Sequence, residues 1–82
     1  MKIKVVKRIV TKSGNSKYYV RCGDKKYTCY FGNPCCCNYY TVVEGYTTPT
    51  SVGHKNITNT LLGIEIHLRC NHYENFFKMA CK

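Results

Sequence analysis

Cys35-Cys36-Cys37 sets three thiols in a row, and such a row cannot satisfy itself. Adjacent Cα atoms lie ~3.8 Å apart, below the ~4.4–6.8 Å that a disulfide prefers. Partners must come from the other cysteines of the seven: Cys22, Cys29, Cys70 and Cys81. Cys70 and Cys81 fall on apolar faces, so a bridge from at least one of the triplet to one of them is the primary expectation. An odd count leaves one thiol over. Cys36, which points away from its two neighbours in extended backbone, is then free to link two copies, with a non-covalent homodimer as the alternative assembly. Zinc competes for the same atoms. Cys35, Cys37, Cys70 and His72 form a soft four-ligand set, although one residue separates each pair where two to four are usual. Free structural thiols are the third reading.

Catalysis has less to work with. His54, His67 and His72 have no spacing to a cysteine that singles out a nucleophile and its base, and the acids are only Asp24, Glu44, Glu65 and Glu74. No glycine-rich phosphate loop or metal-hydrolase motif occurs. We expect neither an enzyme nor a cofactor.

The pattern that does suggest a function is cations interleaved with tyrosines. Lys17-Tyr18-Tyr19-Val20-Arg21 and Lys25-Lys26-Tyr27-Thr28-Cys29-Tyr30 lie close together in a chain of formal charge +9. Rings that stack on bases beside cations that follow phosphate are how small sheets bind single-stranded nucleic acid. Lys17, Tyr19, Arg21, Lys25, Lys26 and Tyr30 are the expected partner-binding residues. The plainer account is that tyrosine is common in strands and lysine keeps proteins soluble. An acidic macromolecule, nucleic acid or an acidic protein patch, is the partner the charge calls for.

These residues need a scaffold, and 82 residues suffice for a single small domain spanning 1–82. Lys2 to Thr11 reads as a strand with a phase shift at Val5-Val6 that fits a bulge. Lys17 to Cys22 and Tyr27 to Phe31 are the next two strands, joined by a turn at Gly23-Asp24-Lys25-Lys26. Cys22 and Cys29 would face each other only with the tight loop at Lys25-Lys26. Asn33-Pro34 is a turn signal, Tyr39 to Glu44 is a fourth strand, and Tyr46 to Asn59 reads as an exposed loop. Asn56-Ile57-Thr58 within it matches a glycosylation acceptor. Leu62, Ile64, Ile66, Leu68 and Cys70 alternate strictly and predict a fifth strand. Asn71 then caps a short helix with Tyr73, Phe76, Phe77, Ala80 and Cys81 on its inner stripe. The expected fold is α+β, mostly β: a small twisted antiparallel sheet or barrel of about five strands with one short C-terminal helix, stapled by disulfides or, failing that, zinc.

No run is apolar enough for a signal peptide or a membrane span. As written the chain reads as cytoplasmic, and as secreted if Met1 heads a mature segment. Two functions follow. One is a non-catalytic basic binding protein for nucleic acid or a nucleic-acid-handling partner, such as a phage- or mobile-element-encoded inhibitor. The other is a secreted disulfide-rich effector, toxin or antimicrobial protein acting on an anionic surface or receptor.

Overall fold

The computed structural model describes residues 2–11, 14–32, 39–48 and 53–80, leaving aside the side chains of Tyr39 and of residues 77–80. Four strands, β1 (Ile3–Val10), β2 (Ser16–Cys22), β3 (Lys25–Gly32) and β4 (Tyr39–Glu44), form an open antiparallel sheet in the order β1-β2-β3-β4. One helix, α1 (Leu61–Ala80), covers one face. The fold is therefore small, α+β and mostly β.

Alternation in β2 decides which face is covered. Ser16, Tyr18, Val20 and Cys22 are buried, while Lys17, Tyr19 and Arg21 turn the other way. Pairing carries this parity across the sheet: Tyr18 lies opposite Cys29, Val20 opposite Tyr27, and Cys29 opposite Val42. The shift at Val5-Val6 is a bulge, with Val5 opposite Val20 and Lys7 opposite Tyr19. The β2–β3 turn is tighter than expected. Cys22 pairs with Lys25 around Gly23-Asp24, and Gly23 takes the positive φ of +60° that a two-residue hairpin requires. Cys22 and Cys29 therefore share a face without facing each other.

The expected fifth strand is a correction: Leu62 to Cys70 is helical. Every second residue in an alternating run also supplies positions four apart, so Leu62, Ile66 and Cys70 make one helical face as readily as one strand face. Ile66 and Cys70 are fully buried against the sheet, whereas Ile64 and Leu68 point outward. The helix is also longer than expected, at 20 residues, and Asn71 lies inside it. Thr60 is the cap instead, its hydroxyl accepting the Gly63 N–H at 3.0 Å. Gly63 has to be glycine here, because a Cβ would stand 1.9 Å from the Ile57 carbonyl oxygen. The inner stripe differs too. Phe76 is 63 % exposed, and Glu74 is what reaches the sheet.

Residues 55–57 are not a free loop. The Glu44 N–H donates to the Lys55 carbonyl and the Ile57 N–H to that of Val42, which closes the outer edge of β4 and buries Ile57. Among the described residues no strand pairs with the outer edge of β1. Among them, too, no helix is long and apolar enough to cross a membrane.

Candidate functional site

The sheet face away from α1 gathers the cations. Register places Lys4 beside Arg21, Lys7 beside Tyr19, Arg21 beside Lys26, and Lys17 beside Tyr30, all on that face. No acidic residue of the described strands shares it: Glu44 is paired with Tyr27, which belongs to the covered face. Of the residues expected to bind a partner, Lys17, Tyr19, Arg21, Lys26 and Tyr30 lie together here. Lys25 does not. It pairs with Cys22, so the two-residue turn sends it to the covered side, at the exposed end of the hairpin.

The centre of the face is a stack that sequence reasoning missed. The Tyr46 ring lies on that of Tyr19, with centroids 4.6 Å apart and planes 14° from parallel. Lys17 Nζ stands 5.3 Å from the Tyr19 centroid, and Lys26 Nζ is 5.4 Å from that of Tyr46. Such contacts are worth ~0.5–1 kcal/mol at exposed sites and hold the ammonium groups beside the rings. Tyr46 is placed by Thr28. That side chain has open-face parity yet is fully buried, its hydroxyl donating to the Gly45 carbonyl at 2.6 Å and accepting the Thr47 N–H at 3.0 Å. Gly45 takes φ +87° and its N–H donates to the Lys26 carbonyl, so the chain leaves β4 by folding back over the sheet. A threonine facing outward from a central strand was the available signal. At the margin, Asn15 Nδ2 donates to the Tyr30 hydroxyl at 2.7 Å, and Arg21 Nε donates to the Gly23 carbonyl at 2.9 Å.

The covered face holds the remaining titratable groups. Glu74 accepts from Ser16 Oγ at 2.9 Å, Arg8 Nε at 3.3 Å and the Tyr18 hydroxyl. Burial alone would raise this carboxyl, but the three bonds and the Arg8 charge outweigh it and hold it below the usual range. Burial and the same carboxylate push the Tyr18 phenol up. His67 stacks on Tyr40 with centroids 3.5 Å apart, and burial lowers its pKa.

Cys22, Cys29 and Cys70 are buried free thiols. Cys70 hydrogen-bonds Cys29, and that contact together with burial pushes the Cys29 thiol far up, away from thiolate chemistry. Burial, then Glu65, raises Cys22 likewise. The triplet Cys35, Cys36 and Cys37 and Cys81 lie outside the described residues, as does any bridge they make. Of the zinc set only Cys70 and His72 are described: Cys70 is fully buried and His72 exposed, and they point ~200° apart around the helix. Among the described residues no three metal-ligating side chains come together.

The chain matches no protein-family model, no curated protein and no solved structure.

Proposed function

We propose that the helix-free face binds single-stranded nucleic acid without catalysing a reaction on it. The observation that carries this is the Tyr19–Tyr46 stack ringed by Lys17, Lys26, Arg21, Lys4 and Lys7, with no acid of the described strands on the same face. Unpaired bases expose ring faces that stack on such a platform, and cations on both sides meet the phosphates. A duplex hides its base faces and is read from its grooves, where half-buried rings on a sheet face cannot stack on them.

The test is fluorescence anisotropy with labelled single- and double-stranded oligonucleotides over a salt series. Single strands should bind more tightly, with a log–log salt slope of ~0.7 per phosphate contacted. Tyr46→Ala or Tyr19→Ala should weaken binding by about 1–3 kcal/mol at constant salt slope. Lys17→Ala or Lys26→Ala should lower the slope by about one contact's worth. Lys25→Ala, on the other side, should do neither. No binding to either oligonucleotide at low salt overturns the reading and leaves an acidic protein patch as the target.

A further inference from the structure

The binding face uses none of the outward surface of α1. There Leu61 is 83 % exposed, Leu68 59 % and Ile64 40 %. With ~3.6 residues per turn these three share one stripe, on the side of the helix away from Ile66 and Cys70. An apolar row along an exposed helix commonly marks a protein contact. Beside Leu68 the surface is concave: Ile3, Glu65, Leu68, Arg69 and His72 line a cleft of about 410 Å³.

Charge on this helix selects the partner. Glu65 and Arg69 lie one turn apart on the same flank of the stripe, and among the described residues no ion pair joins them. Two copies of such a helix, laid antiparallel about a twofold axis near residue 67, bring each Glu65 level with the Arg69 of the other copy. The match is made twice by symmetry. The opposite face repels its own copy, since its strands carry cations without acids. Pairing through α1 leaves two helix layers, each ~10 Å thick, between the cationic faces, more than two Debye lengths of ~8 Å at physiological salt.

We propose that α1 is a homodimer interface in which Ile64 and Leu68 pack against the same two residues of a second copy, with Glu65 of each copy against Arg69 of the other. A single pair of helices is a small interface beside the ~800 Å² per partner of a standard one, so dimerisation should depend on protein concentration. This inference is independent of what the sheet face binds.

Sedimentation equilibrium of the full chain, under reducing conditions that remove any disulfide-linked dimer, tests it. The expected result is a concentration-dependent dimer that Leu68→Glu converts to monomer. Glu65→Arg and Arg69→Glu should each weaken it by about tenfold or more, by setting like charges together. Mixing these two variants in equal amounts should restore a dimer, because the mixed pair sets two arginines against two glutamates. That rescue separates an intermolecular pair from any effect within one helix. A monomer throughout the range, or a dimer indifferent to all three substitutions, or a mixture that fails to re-associate, overturns the proposal.

Discussion

Thr28 shows how much a single hydroxyl can position. It is fully buried and serves both Gly45 and Thr47, so Thr28→Val keeps the shape while leaving two backbone groups without their partner. We expect a loss of ~1–3 kcal/mol in denaturant unfolding. Oligonucleotide affinity should also fall toward that of Tyr46→Ala, because Tyr46 loses its support. Glu74 is the counterpart on the covered face. Its side chain is 12 % exposed, and Glu74→Gln removes the charge that Arg8 and Tyr18 are arranged around, at a cost of ~1–3 kcal/mol. Lys17, Tyr19, Arg21 and Tyr30 are legible as one group from strand parity alone, because period two fixes a face. Tyr46 is not legible in that way. Its place depends on a loop folding back, and no local periodicity encodes that.

At the scale of elements, α1 is where sequence and fold part. The alternation in Leu62–Cys70 contains a helical face as a subset, and periodicity within that run alone cannot choose between them. What decides is packing: Gly63 lets the first turn press on Ile57, and Ile66 and Cys70 fill the sheet's hollow. Two effects of opposite sign meet at Gly63→Ala. Alanine gains ~1 kcal/mol of helix propensity, whereas a Cβ 1.9 Å from a carbonyl oxygen forces the helix away from the 55–57 segment. The clash should win, and the variant should unfold at lower denaturant with a net loss of ~1–3 kcal/mol. The first three strands are legible because each alternates between bounded turns. The Cys22–Cys29 relation is not, because moving the turn by one or two residues re-pairs the whole hairpin.

The whole molecule should lose stability to acid in two stages. His67 has its pKa lowered in the fold, so the unfolded chain takes up a proton first, and stability declines as pH falls below the ordinary histidine value of 6.5. Glu74 is also depressed. Its contribution is complete above the ordinary value of 4.5 and is lost as pH falls from there through the folded pKa. Thermal unfolding across pH should show both steps, with His67→Gln erasing the upper and Glu74→Gln the lower. The bulge in β1 guards an open edge of the sheet. Residues 55–57 close the β4 edge, but the outer edge of β1 pairs with no described strand, and such a row of backbone donors and acceptors is a template on which further strands can grow into fibres. The extra residue at Val6 twists that row, and Lys4 and Lys7 flank it with charge. Deleting Val6 would straighten β1 while keeping Ile3 and Val5 on the covered face. Such a chain should turn cloudy and bind amyloid dyes at concentrations where the parent stays clear.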